Sequence, residues 1–343
     1  MVKFQCDYAE GCHPNILERL AETNFMQTVG YGEDEICESA RARIRKAIGR
    51  EDADIHFLVG GTQANLTVIA SILRPHQGVI SANTGHINVH ETGAIEATGH
   101  KVIALPSSDG TITGDQVREY VKAHWNDDAH EHIVQPGMVY ISFPTENGTL
   151  YSKAQLEDLY KACQEFDLPL FIDGARLGYG LMSPANDLTI QDVTNLCDVY
   201  YIGGTKVGAL FGEAVVITAP SLKKDFRYLI KQKGGMLAKG RLLGIQFDEL
   251  FKDDLYFKIS QHAITQAMRI KKACEDCNIP FAYESFTNQQ FLILTNEQAA
   301  ALDEKFVVSH FEKYKDTQLI RLCTSWATKE ENVDELIEVL KSL

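Results

Sequence analysis

The stretch Asp198-Val199-Tyr200-Tyr201-Ile202-Gly203-Gly204-Thr205-Lys206-Val207-Gly208-Ala209-Leu210-Phe211-Gly212 decides how the chain is read. An apolar run of β-branched and aromatic residues is a strand pattern, and the glycine pair ends it. A hydroxyl residue and a lysine follow, and Ala214-Val215-Val216-Ile217 resumes as a second strand. A lysine on a glycine turn at the end of a buried strand is poorly explained as a solubilising charge. Desolvation lowers the pKa of an amine and frees it to attack a carbonyl, so Lys206 is a candidate Schiff-base nucleophile. For a single lysine taken alone a solvated loop is the commoner outcome, and only a second chemical group nearby weighs against it.

Leu168-Pro169-Leu170-Phe171-Ile172-Asp173-Gly174-Ala175-Arg176-Leu177-Gly178 supplies it. Here another short apolar strand runs into a charged residue, Asp173. In an α/β chain, strand-end carboxylates and lysines meet in one crevice at the carboxyl edge of the sheet. Pyridoxal phosphate needs both groups: an amine to hold its aldehyde and a carboxylate to keep its ring nitrogen protonated. It also needs a phosphate cradle. Asp54-Ile55-His56-Phe57-Leu58-Val59 reads as a strand, Gly60-Gly61-Thr62 as a tight turn and Gln63 to Leu73 as a helix. Small residues there let backbone N–H groups approach an anion at the helix start. Many α/β turns look like this; the three stretches together carry the weight.

At 343 residues, 45% hydrophobic and 23% charged, the chain has room for a large domain and a smaller one. Its formal net charge of −14 argues against nucleic acid or an anionic membrane as the main partner. No apolar run approaches the length of a membrane span. Eight cysteines are scattered without a secretory signal, which points to free thiols in a reducing cytoplasm. Cys274 and Cys277 form a C-x-x-C with no second pair at zinc spacing and read as structural. His124 and the polar segment 126–132 fit no standard metal spacing, so no metal site is expected.

From residue 36 to about 243, helix candidates (Glu35–Ile48, Gln63–Leu73, Asp115–Trp125, Lys153–Phe166) alternate with strand candidates. The strands are expected at 54–59, 78–82, 101–105, 138–143, 168–172, 197–202 and 214–218. Such alternation implies an α/β fold with a mostly parallel sheet and helices on both faces. From about 244 the expected order is helix, strand, strand, helix, strand, helix, a smaller α+β domain with a long helix over Asp254–Asp276. The expected division is 1–243 for the arm and large domain and 244–343 for the small one.

The segments "VGGTQAN", "GHINVHETGA", "FIDGARLG" and "GGTKVG" resemble the threonine aldolase and β-eliminating lyase family of fold-type-I pyridoxal-phosphate enzymes. The likeness begins at "FQCDYAEGCHPNIL" and "VGYGEDE" and reaches "IRLCTSWATKEENVDEL", so it spans essentially the whole chain. The resemblance implies pyridoxal 5'-phosphate on Lys206, with Asp173 at the ring nitrogen. Gly61, Thr62, Gln63, Arg176 and Thr205 are then further cofactor contacts. His86 corresponds to a histidine that stacks on the cofactor ring, a task for which flat imidazole, titrating near neutrality, is suited; Glu91 follows as its orienting acid. Arg176 and Arg321 are candidates for the α-carboxylate of a small amino acid, since a guanidinium is a planar fork that fits a carboxylate. Cys6, where the family usually has a small hydroxyl residue, and Tyr31 are candidate substrate contacts on an arm that the family shares between subunits. A homodimer or homotetramer is therefore expected. After Gly234-Gly235-Met236, where an arginine is usual, stands Leu237, with Lys239 and Arg241 beyond.

In Thr145-Glu146-Asn147-Gly148, Glu146 stands where many relatives place a histidine near the substrate's β-hydroxyl. The implied reaction is cleavage of the Cα–Cβ bond of a β-hydroxy-α-amino acid into glycine and an aldehyde, with Glu146, His86 or water as base. β-Elimination and transamination use the same cofactor and remain open at this point. A nucleotide-dependent oxidoreductase is disfavoured, because no G-x-G-x-x-G follows a strand and there is no Walker pattern. A binding protein without catalysis would have little reason to keep both Lys206 and Asp173.

Overall fold

A computed structural model describes residues 1–343. The chain opens with β1 (Val2–Lys3), α1 (Pro14–Glu22) and α2 (Glu35–Ile48), then enters the sheet with β2 (Asp54–Leu58) and α3 (Gly61–Ile72). There follow β3 (Gln77–Ala82), α4 (His86–Val89), β4 (Val102–Leu105), α5 (Gly114–Trp125), β5 (Gln135–Ser142) and α6 (Lys153–Glu165). The large sheet is completed by β6 (Leu170–Asp173), α7 (Leu177–Leu181), α8 (Ile190–Asn195), β7 (Val199–Gly203), β8 (Glu213–Ile217) and α9 (Phe226–Gln232). Each of the seven strands expected in this region is present, displaced by at most three residues at an end.

Local chemistry explains the helix boundaries. Asp34 accepts a hydrogen bond from the Cys37 N–H at 2.9 Å and starts α2, and Gly49 at φ +69° ends it. Capping boxes at Thr113/Gln116 and Ser152/Gln155 start α5 and α6. By contrast, no side chain caps α3, which begins at the Gly60-Gly61 turn.

The seven strands run β2-β8-β7-β6-β5-β3-β4 across the sheet. Every pairing is parallel except the two made by β8, which is antiparallel to both β2 and β7. The carboxyl ends of β2, β3, β5, β6 and β7 therefore share one edge, and the first residue of the reversed strand β8 joins them there. Sheet residues such as Tyr140, Ile172, Tyr200 and Tyr201 are buried. Burying one Ile or aromatic side chain stabilises the fold by about 1.5–3 kcal/mol.

Beyond the large sheet lie α10 (Arg241–Leu250), α11 (Leu255–Asp276), β9 (Gln289–Thr295), α12 (Asn296–Asp303), β10 (Phe306–Val307), β11 (Ser309–Lys313), β12 (Thr317–Cys323) and α13 (Glu330–Ser342). The expected order differs from this in three places, one being that β10 and β11 precede β12 where a single strand was expected. A helical stretch is broken at Asp253 and Asp254, both with positive φ, so two helices precede the first strand of this region. The second strand expected before α12 is only an isolated bridge between Phe281 and Leu292. β11 carries no clear sequence signal, because four of its five residues are exposed and show no apolar alternation.

The small sheet, β11-β12-β9, is antiparallel and shares a core with α12, α13 and the second half of α11. Phe4 belongs to that core, because β1 pairs with β10. Helix α10 and the first half of α11 pack on the large sheet instead. Cys274 is buried in α11, and all eight cysteines are free.

Candidate active site

The carboxyl edge of the large sheet opens into a cavity of about 560 Å³ that also meets β11 and β12 of the small sheet. Lys206, Asp173, His86, Glu146, Arg176, Arg321, Gly61, Thr62 and Thr205 all line it. Nine of the twelve residues singled out from sequence are thus brought together. All but Arg321, which lies within β12 of the small sheet, come from the carboxyl end of a large-sheet strand or from the turn or helix start after it, as the shared edge requires.

Lys206 follows the Gly203-Gly204-Thr205 turn. Tight packing builds this turn: a Cβ on Gly203 would stand 2.3 Å from the Ala175 carbonyl oxygen, and one on Gly174 only 1.9 Å from that of Tyr201. Glycine at both positions lets the ends of β6 and β7 approach closely. The Lys206 carbonyl accepts the Tyr179 hydroxyl at 2.6 Å. Burial, then the neighbouring Arg176 guanidinium, pull the Lys206 amine below its ordinary range, against Asp7, Asp173 and Glu213.

Asp173 is the last residue of β6 and is 4% exposed. Burial alone would raise its carboxyl. The opposing influences win: the nearby His86 and the hydrogen bonds hold the carboxyl below its ordinary value. Its Oδ1 accepts the Tyr201 hydroxyl at 2.5 Å and the Ala175 N–H at 3.0 Å. Its Oδ2 accepts the Tyr140 hydroxyl at 2.7 Å and the Asn65 amide at 3.0 Å. Four donors on one carboxylate fix it as an anion.

His86 starts the single turn of α4, and its Nδ1 lies 2.9 Å from Glu91 Oε1, which also accepts the Asn65 amide at 2.7 Å. Burial opposes the charged imidazolium, but Glu91 and then Asp173 raise its pKa. One chain of contacts, Asp173–Asn65–Glu91–His86, therefore sets the ring's place. Glu146 Oε1 accepts the Ser142 hydroxyl at 2.6 Å and the His86 backbone N–H at 2.9 Å. Burial raises the Glu146 carboxyl, with Asp173 adding to the rise and Ser142 opposing it.

The two arginines differ. Arg176 donates from Nε and Nη2 to Asp7 at 2.7 and 3.0 Å, a bidentate pair. Burial would raise Asp7, but Arg176 and Lys206 overrule it and hold the carboxyl at about 2. Arg176 thus already has its carboxylate. Arg321 donates from Nη1 to Gln289 Oε1 and from Nη2 to the Gln5 carbonyl, both at 3.1 Å, and lies over the Phe311 ring at 5.0 Å. Its Nε is buried without a partner, and no carboxylate pairs with it. An arginine facing a cavity with donors to spare is the better anion receptor.

Three of the residues singled out lie elsewhere. Gln63 turns away from the cavity: it accepts the Val59 N–H at 3.2 Å and donates to the Lys233 carbonyl at 3.2 Å, tying α3 to the Gly234-Gly235 turn. Tyr31, at φ +62° and 48% exposed, sits beneath Lys231 at 5.0 Å, away from Lys206. Cys6 is half-buried on the arm and does not line the cavity. Arg241 is spent on the Asn24 and Met26 carbonyls.

Sequence reading missed Glu213, Tyr201, Ser142, Tyr8, His90 and Phe311, which also line the cavity. Glu213 had a signal, being the one acid in the apolar run that follows Lys206. Tyr201 and Tyr140 read as core residues, and only the fold aims their hydroxyls at Asp173.

The site suits a phosphorylated aldehyde cofactor. At the uncapped α3 terminus Gly60, Gly61 and Thr62 line the cavity, and a Cβ on Gly60 would meet nothing within 4 Å, which leaves room for an anion at the helix start. A half-buried lysine and a buried carboxylate face the same cavity.

The beta-eliminating lyase family profile matches residues 5–297. A low specificity L-threonine aldolase of Pseudomonas aeruginosa is 28% identical over 97% of this chain and 95% of its own. One from another Pseudomonas strain is 27% identical over 99% and 97%. The solved threonine aldolase of Leishmania major superposes with a TM-score of 0.97 at 46% identity, covering 100% of this chain and 99% of that one. An aspartate aminotransferase of Thermus thermophilus, 14% identical with a TM-score of 0.72, covers 100% of this chain and 91% of its own and shares the fold. With the match running from the N-terminal arm into α12, the chain belongs to the beta-eliminating lyase family.

Proposed function

We propose that the protein is a pyridoxal-phosphate-dependent aldolase that cleaves β-hydroxy-α-amino acids of the threonine type into glycine and an aldehyde. The observation that carries this reading is the pairing of a desolvated Lys206 with a four-donor Asp173 in one cavity. Relatives named threonine aldolase along nearly the whole chain support the substrate class. The cofactor's ring, when bound, takes up the electron pair left on Cα as the Cα–Cβ bond breaks. The chain supplies the rest. Lys206 holds the cofactor, Asp173 keeps a proton on the ring nitrogen, and Gly61, Thr62 and Thr205 receive the phosphate. His86, oriented by Glu91, lies against the ring. Arg321 binds the substrate's α-carboxylate, while Arg176 fixes the arm through Asp7. Glu146, whose carboxyl burial has raised, takes the β-hydroxyl proton.

A homodimer or homotetramer fits the surface. Phe25, Val29 and Tyr228 are 94%, 68% and 76% exposed, on segments joined by Arg227 and Arg241. Clustered apolar side chains of this kind mark an interface. Tyr31 on the same face would serve a neighbouring subunit's cavity. No helix is long and apolar enough to cross a membrane; a cytoplasmic home fits the free cysteines.

The test is direct. Purified protein given pyridoxal phosphate should turn yellow, and borohydride should fix the cofactor on Lys206, read by peptide mass. Threonine, allo-threonine or phenylserine should then yield glycine and the matching aldehyde. Ammonia and a keto acid instead would make elimination the better name. A colourless protein, or labelling at another lysine, would sink the proposal.

A further inference from the structure

Glu213 is a buried acid for which the proposed cleavage has no use. It is the first residue of β8, in register with Gly203 of β7 and Leu58 of β2, and is 3% exposed. Its Oε2 accepts the Gly204 N–H at 3.0 Å, and its Oε1 accepts the Thr205 hydroxyl at 2.9 Å. Thr205 Oγ1 in turn accepts the Gly212 N–H at 3.0 Å. A threonine hydroxyl carries one proton. While Glu213 is ionised that proton is committed to Oε1, and Thr205 offers the cavity only lone pairs. Yet Thr205 and Glu213 line the same cavity as Gly60, Gly61 and Thr62. A phosphate there would face a carboxylate and an acceptor where it needs a donor.

We propose that Glu213 is a proton-linked positioning residue of the phosphate cradle. On phosphate binding it takes one proton from solvent, its new O–H donates to Thr205 Oγ1, and the Thr205 proton turns to the phosphate. This inference rests on the reading of Gly60–Thr62 as the seat of a phosphorylated cofactor. No bond between heavy atoms changes; one solvent proton is gained on binding and returned on release.

The surroundings favour the protonated form. Burial raises the Glu213 carboxyl and Asp173 adds to it, against Thr205, Lys206 and Gly204. Of the packed elements, β6 presents Asp173, β7 presents Tyr201, the following turn presents Lys206, and α11 presents Tyr256, whose hydroxyl donates to the Gly203 carbonyl at 3.1 Å. On the β2 side it faces Leu58. Arg176 and His86 line the same cavity. Lys206 alone among the close neighbours opposes protonation by its charge, and an arriving phosphate dianion outweighs it in number of charges.

The experiment is calorimetric titration of the full-length protein, freed of cofactor, with pyridoxal phosphate and with pyridoxal. Each is run in two buffers of different ionisation enthalpy, between about pH 8 and about pH 9.5, where the phosphate has already lost its second proton. Protons exchanged by the aldehyde and by Lys206 are common to both ligands and cancel. Pyridoxal phosphate should take up more protons than pyridoxal, the excess rising toward about one at the upper end of that range, and its wild-type affinity should fall up to about tenfold per pH unit relative to that of Glu213→Gln. Glutamine keeps the shape, donates to Thr205 and has nothing to titrate. Equal proton uptake with both ligands would overturn the proposal; so would parallel affinity profiles in wild type and variant. The wild-type comparison of ligands stands even if the variant does not fold. Failure to bind either ligand at any pH would overturn the proposed function together with this inference.

Discussion

Three carboxyl groups, Asp173 and Glu213 buried and Glu146 half-buried, stand along one sheet edge and meet opposite fates. Asp173, at the end of β6, receives four donors and stays ionised. On one flank, Glu146 after β5 receives two, from Ser142 and the His86 backbone. On the other, Glu213 at the start of β8 also receives two, from Thr205 and Gly204. Burial raises both glutamates. All three are desolvated; at Asp173 the charge of His86 together with the four donors outweighs burial, and at the glutamates two donors do not. Two of the four donors on Asp173 are tyrosine hydroxyls from the sheet itself, on β5 and β7. Neighbouring acids pushed apart in this way can divide the work, one holding charge and the others handling protons.

The largest loss is expected at Asp173. Asp173→Asn keeps the shape and loses the anion, and aldehyde release should fall about 1000-fold. Retention of more than a tenth of the activity would mean that the charge is not what the four donors serve. Glu146→Gln should lower aldehyde release about 100-fold while cofactor binding, followed by its absorbance, persists. An unchanged rate would move the base to His86 or water and leave Glu146 as the brace of the His86 turn.

Smaller changes sharpen the contrast. Tyr140→Phe removes one of the four donors, a hydrogen bond to a charged group worth about 1.5–3 kcal/mol. The Asp173 carboxyl should then rise, and kcat/KM should drop about tenfold, with the acid limb of the pH profile displaced upward by about one unit. An unmoved limb would show that the remaining donors suffice.

The smallest effect belongs to Glu213 and concerns stability without cofactor. Its carboxyl is raised in the folded state. The stability this contributes is therefore fully present below the unfolded value and is lost as pH rises toward the folded one. Glu213→Gln escapes this loss. Its Tm relative to wild type should climb by about 2 °C as pH is taken from about 5 to about 8. A constant difference would mean that Glu213 titrates alike folded and unfolded.

Much of this arrangement is legible in the chain's local patterns. The strands ending at Asp173 and before Lys206, the Gly60-Gly61-Thr62 turn and the alternation of helices with strands are set by β-branched runs, glycine turns and caps within a few residues. A parallel sheet then brings strand ends to one edge without further instruction, which is why His86, Asp173, Glu146 and Lys206 meet as expected. Other features depend on residues far apart in the chain. Arg176 and Arg321 look alike in sequence, and only the fold places Asp7 against the first and leaves the second without an anion. Gln63 follows the glycine turn but is drawn away by the Lys233 carbonyl, 170 residues distant. Glu213 reaches the site because β8 runs antiparallel, so its first residue lies where its neighbours end. Strand direction is a property of the whole sheet, and so is the count of donors around a buried charge; neither is written in the few residues on either side.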